Sequence, residues 1–163
     1  MRGSFVLTLI FLSACGYRFV APNSELPGGV RSVNVPVFMN RTPEPAAELT
    51  FTEAAKDQLS RAGRLGGNAA EAELVGTIAA VSSGPVMSAP SLPKQPVFRI
   101  TATITLNLVK GGATIGTATI TTSEEFPSGA DVLLTESNRG AALKRLADTM
   151  IREGLERLQS PAP

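Results

Sequence analysis

The chain has 163 residues, with 15 Lys and Arg against 14 Asp and Glu, no His, no Trp and one Cys. A charge balance this even supplies no overall field for nucleic acid or anionic lipid. The lack of His excludes Ser-His-Asp, Cys-His and His-ligated metal chemistry, and a lone Cys excludes a disulfide within the chain.

The start reads Met1-Arg2, then the apolar run Phe5-Val6-Leu7-Thr8-Leu9-Ile10-Phe11-Leu12, then Ser13 and Ala14 before Cys15. A positive start, a short apolar stretch and small residues at a cleavage site predict a secretory signal over residues 1–14, because the run is well short of the ~20 residues a spanning helix needs. Leu12-Ser13-Ala14-Cys15 resembles the lipobox of bacterial lipoproteins. That resemblance implies cleavage before Cys15 and a covalent lipid on its thiol, with no other cofactor. At roughly 0.8 kcal/mol per buried methylene, several acyl chains together hold a protein firmly to a membrane. Gly16 stands where retained lipoproteins of enteric bacteria carry Asp, so by their sorting rule the destination is the outer membrane.

Residues 15–29 carry Pro22, Pro27 and Gly28-Gly29 with little periodicity and are expected to form the lipidated N-terminus and a tether. Residues 30–163 suffice for one domain with its own core. Val30 to Phe38 predicts a first strand with Val33, Val35 and Val37 on one face, and Pro36 puts it at a sheet edge. Thr42-Pro43-Glu44 is a helix-start signal. The helix expected from about Pro45 to Ala62 has Phe51, Ala54, Ala55, Leu59 and Ala62 on one side, with Gly63 at its left-handed end.

Glu73 to Val81 predicts a second, more central strand, apolar on both faces. Four prolines between Ser82 and Pro96 predict a long loop. Phe98 to Leu108 alternates strictly: Phe98, Ile100, Ala102, Ile104, Leu106 and Leu108 lie on one face, with Arg99, Thr101, Thr103, Thr105 and Asn107 on the other. The turn Lys110-Gly111-Gly112 predicts an antiparallel partner from about Ala113 to Ser123, with a bulge near Gly116. A last helix capped by Thr135 is expected to run to about Gln159, its apolar stripe formed by Leu143, Leu146, Ala147, Met150, Ile151 and Leu158. The expected fold class is therefore α+β: a four-stranded mixed sheet with two helices packed on one face, in the order β-α-β-β-β-α.

No catalytic residues and no metal site are expected. G-x-S-x-G, Walker A and G-x-G-x-x-G motifs are absent from the sequence. The adjacent Glu124 and Glu125 sit at a strand end, where neighbours point to opposite faces and cannot act as a pair. The hydroxyl-rich face carrying Thr101, Thr103, Thr105 and Asn107 reads as a solvated sheet face or as a surface that docks on a partner's wall. Lys94 and Arg99, at the mouth of the proline-rich loop, are the candidates for anionic contacts.

Several stretches together resemble the LptE family of lipopolysaccharide-assembly lipoproteins. They are Cys15-Gly16-Tyr17-Arg18-Phe19; Val35-Pro36-Val37-Phe38 with Asn40-Arg41-Thr42 and Glu44-Pro45; Phe51-Thr52 through Gly63-Arg64-Leu65; the strand Phe98 to Leu108; Glu124-Glu125-Phe126; and Thr135-Glu136-Ser137-Asn138-Arg139. The resemblance spans nearly the whole mature chain and implies the same two-helix, four-strand fold. It implies a non-enzymatic lipoprotein, lipid-anchored at the periplasmic face of the outer membrane, that plugs and helps assemble the large β-barrel of the lipopolysaccharide transport machine (LptD type). It also implies contact with lipopolysaccharide on its way to the outer leaflet. The partners expected are thus the barrel, lipopolysaccharide and the membrane through acyl chains, with no nucleic acid. A pilot or scaffold lipoprotein of another envelope assembly is the alternative reading.

Overall fold

In the computed structural model, residues 25–86 and 96–159 are described. Two short strands, β1 (Val33–Asn34) and β2 (Met39–Asn40), lead to helix α1 (Ala47–Arg61). Three long strands follow, β3 (Ala72–Pro85), β4 (Val97–Lys110) and β5 (Ala113–Pro127), and then helix α2 (Val132–Gln159). The sheet order is β1-β3-β4-β5, with β2 also paired to β3. β1 and β2 run parallel to β3, and the β3–β4 and β4–β5 pairs are antiparallel. This is the mixed α+β sheet the sequence predicts, with its first strand divided in two.

The division has a physical cause at Pro36. Val33 pairs with Ala72 and Met39 with Thr77, so the edge chain spends one more residue than β3 between the two contacts. Pro36 has no N–H to give to a ladder, and the extra residue is accommodated there. The inward phase changes as a result. Val33 and Val35 are buried as expected, but Val37 is 61% exposed and Phe38 takes the inward position. The Phe38 N–H, which finds no ladder partner, donates to Thr52 Oγ1 at 3.0 Å. Thr52 in turn donates to the carbonyl of Glu48, so this buried hydroxyl is fully used.

Along β4, Ile100, Ala102, Ile104, Leu106 and Leu108 are buried, as the alternation requires. They meet Leu74 and Ile78 of β3 and Ala118, Ile120 and Phe126 of β5 in one core. β3 is longer than expected, running through Ser82 and Ser83 to Pro85, and a bulge between Ile78 and Ala80 resets its phase. Val75, expected to be covered on both sides, stands on the open face opposite Asn107. The bulge expected near Gly116 is present: Leu108 pairs with Gly116 but Val109 with Thr114.

Both helices cover the same face. The α2 stripe (Leu143, Leu146, Ala147, Met150, Ile151, Leu158) is buried as expected. Gly154 adds a close approach, because a methyl there would lie 2.5 Å from Leu106 Cδ1 and 2.9 Å from Ile120 Cδ1. The helix starts differ from expectation. Thr42 serves the turn before α1, accepting from the Glu44 N–H at 3.2 Å, and no side chain caps α1 itself. α2 begins one turn early because Asp131 Oδ1 accepts the Leu134 N–H at 2.8 Å, while Thr135 donates back to the Asp131 carbonyl. The end of the expected tether is docked. Leu26 is only 2% exposed, Pro27 lies against Gly116, and Lys110 Nζ donates to the Gly28 carbonyl at 3.1 Å.

Candidate functional site

The strand alternation that buries one face leaves the other without a covering helix among the described residues. On this open face Thr101, Thr103, Thr105 and Asn107 of β4 stand opposite Ser123, Thr121, Thr119 and Thr117 of β5. Much of the hydroxyl array is paired within itself. Thr103 and Thr121 are linked Oγ1 to Oγ1 at 3.0 Å, Thr105 and Thr119 at 3.2 Å, and Thr117 Oγ1 donates to Asn107 Oδ1 at 2.9 Å. Cross-strand pairs of this kind hold rotamers in place, so the surface is a stiff, polar plane.

Its formal charges are largely cancelled. Arg99 donates from Nε at 3.2 Å, and from a terminal amine, to the same oxygen of Glu125. Both side chains are half exposed, so an anion approaching Arg99 competes with a carboxylate already in place. A shallow depression of about 440 Å³ adjoins Arg99, lined by Ser82, Gly84, Pro85, Val86 and Thr101. Lys94, the other predicted anion contact, and Cys15 lie outside the described residues. The structure therefore gathers Thr101, Thr103, Thr105, Asn107 and Arg99 on one face.

Glu124 and Glu125 diverge, as neighbours on a strand must. Glu125 turns to Arg99 on the open face, and Glu124 accepts from Arg145 Nε of α2 at 2.8 Å. A second, smaller depression of about 190 Å³ lies between the helices, lined by Glu53, Asp57, Lys144 and Asp148 among others. Among the described residues no group of His, Cys, Asp or Glu side chains is arranged to hold a metal ion. No helix there is long and apolar enough to cross a membrane.

Sequence reasoning did not anticipate the clamp between Glu44 and Arg139. The Arg139 guanidinium grips both carboxylate oxygens of Glu44, Nη1 to Oε1 at 2.8 Å and Nη2 to Oε2. Arg139 is 22% exposed and Glu44 10%. The hydrogen bond to Glu44 raises the guanidinium pKa above its ordinary value, outweighing the opposing effect of burial. The loop Asn40 to Pro45 is thereby tied to the segment Thr135 to Arg139. These are two of the separate stretches that carry the family resemblance, and their distance in sequence hid their contact.

No curated protein sequence matches this chain significantly. Solved structures share the fold at low identity. An inferred lipoprotein of Caulobacter crescentus is 14% identical, with 76% of this chain and 89% of that one covered and a TM-score of 0.53. A PelC dodecamer subunit of Paraburkholderia phytofirmans is 20% identical over 85% and 95%, with a TM-score of 0.50. Rare lipoprotein B of Shewanella oneidensis is 8% identical over 77% and 89%, also with a TM-score of 0.50. The LptE model, described as lipopolysaccharide-assembly, matches residues 30–158. That match takes in every strand and nearly all of both helices, and the chain belongs to the LptE lipopolysaccharide-assembly family.

Proposed function

We propose that this chain is a lipoprotein, acylated at Cys15 and held at the periplasmic face of the outer membrane, that plugs the β-barrel of the lipopolysaccharide transport machine and assists its assembly. Family membership supports the general role in lipopolysaccharide assembly. The observation that carries the finer reading is the face of β3, β4 and β5 that no described helix covers, a stiff plane of paired hydroxyls on which Arg99 is already paired with Glu125. Such a plane gains little from an apolar partner. It suits a wall lined with polar side chains and bridging water, where each hydroxyl keeps or exchanges one hydrogen bond.

The chain works by contact and breaks no bonds. It carries no His, and its single thiol stands at the acylation position. Lipopolysaccharide contact is assigned to the end of the open face where Arg99 lies and where Lys94 falls in sequence. There the Glu125 carboxylate sets a threshold, since only a multivalent anion such as a phosphorylated sugar competes well for the same guanidinium.

A photo-crosslinker at Thr103 tests this reading in cells. Capture of an integral barrel of far greater mass is expected. Capture of a partner of another envelope machine, or no capture, would refute it.

A further inference from the structure

The first turn of α2 presents Val132, Leu133 and Leu134 at 77%, 82% and 47% exposure. Single exposed apolar residues are ordinary, but three consecutive ones on a well-held turn are a different matter. Asp131 accepts the Leu134 N–H, Thr135 donates to the Asp131 carbonyl and accepts the Gly129 N–H at 2.9 Å, and Asn138 donates to the Pro127 carbonyl at 3.1 Å. The fold thus fixes an apolar knob that it does not bury, and fixing it in advance lowers the cost of binding.

Its place in the domain narrows what it meets. Ser128 and Gly129 join it to the end of the sheet where Val97 pairs with Pro127. The chain leading back to Cys15 enters at the opposite end, where Gly28 lies against Ile115 and is held by Lys110. A 14-residue strand separates the two ends, roughly 45 Å at about 3.3 Å per residue. The residues between Cys15 and Glu25 span at most about 35 Å, and with the domain upright on this tether the knob stands at the end remote from the anchor. A turn that lies on an anionic bilayer surrounds its apolar residues with Lys and Arg. The ionisable groups of this turn and the next are Asp131, Glu136 and Arg139, and Arg139 is occupied by Glu44.

From these observations we infer that Val132, Leu133 and Leu134 form a docking knob that seats in an apolar, uncharged pocket on the inner wall of the protein barrel, at the end of the domain remote from the lipid. The inference rests on the barrel-plug reading above.

The test uses the full acylated chain co-expressed with its barrel, comparing wild type with the double variant Val132→Ser, Leu133→Ser. Both positions are exposed, so thermal unfolding is expected to be unchanged, while barrel recovered in mild detergent falls at least tenfold. Undiminished recovery overturns the knob. If the wild type itself brings down no barrel, the plug reading fails and the knob with it. Vesicles of phosphatidylethanolamine and phosphatidylglycerol supply the rival outcome. If full-chain Cys15→Ser binds them through this turn and the serine variant leaves barrel recovery intact, the turn meets lipid and the proposal is overturned.

Discussion

Gly76 lies beneath the ring of Phe38, and Gly76→Ala is the sharpest probe of how the edge segment is seated. A methyl built there falls 2.3 to 2.5 Å from Cδ2, Cε2 and Cγ of that ring, whereas carbon contacts sit at about 3.5 to 4.0 Å. The ring would have to retreat by roughly 1 Å or more. Phe38 is only 3% exposed and its N–H is tied to Thr52, so the retreat strains the edge chain and the α1 contact together. Overpacking of this kind costs about 1–3 kcal/mol, and Phe38→Ala alone costs about 3–5 kcal/mol. In the Phe38→Ala background the new methyl enters vacated space, and Ala loses less backbone freedom than Gly, so the second change is expected to be neutral or to stabilise by up to about 1 kcal/mol. Urea unfolding of the four proteins should then give a coupling of about 1–4 kcal/mol. Additivity within ~0.5 kcal/mol would show that the ring does not occupy this position.

Other perturbations address the remaining contacts. Glu44→Ala leaves the partly buried Arg139 without its fork. A loss of about 1–3 kcal/mol is expected, between the values for surface and buried pairs, and calorimetry should show part of it recovered on adding Arg139→Met. Ile104→Asp places an unpaired carboxylate at a fully buried position and should unfold the domain, at a cost of several kcal/mol; a native circular dichroism melt would contradict this. Asp131→Ala removes the α2 cap and is expected to cost about 1 kcal/mol, measured as a shift in the urea midpoint. Cys15→Ser should release the protein from the membrane fraction with its fold intact, and loss of the folded signal would show that anchor and core are not separable.

What could be read in the sequence was what repeats. Residues 98–108 alternate without a fault, so period two alone separates the face that buries Ile100 to Leu108 from the hydroxyl face, with Phe98 only partly covered at the strand end. The α2 stripe followed from its three- and four-residue steps. The features that escaped are those in which one residue breaks the period. Pro36 inserts a residue and turns Phe38 inward, the bulge between Ile78 and Ala80 carries β3 on through serines that read as loop, and Gly154 contributes by having no side chain. Thr135 and Asp131 are both competent caps four residues apart, and tertiary contacts from Gly129 and Pro127 favour the earlier start. The Glu44–Arg139 clamp joins positions with no local pattern between them, so only the fold could show it. The same holds for Arg99, a plausible anion site in sequence whose partner Glu125 lies across the β4–β5 pair.

On the function proposed above, the domain acts by filling a barrel through its outer surfaces. Purification of the native, acylated protein in mild detergent, with mass identification of whatever accompanies it, bears on that claim most directly. A one-to-one complex with an integral outer-membrane β-barrel is the predicted result. A solitary acylated monomer would contradict it.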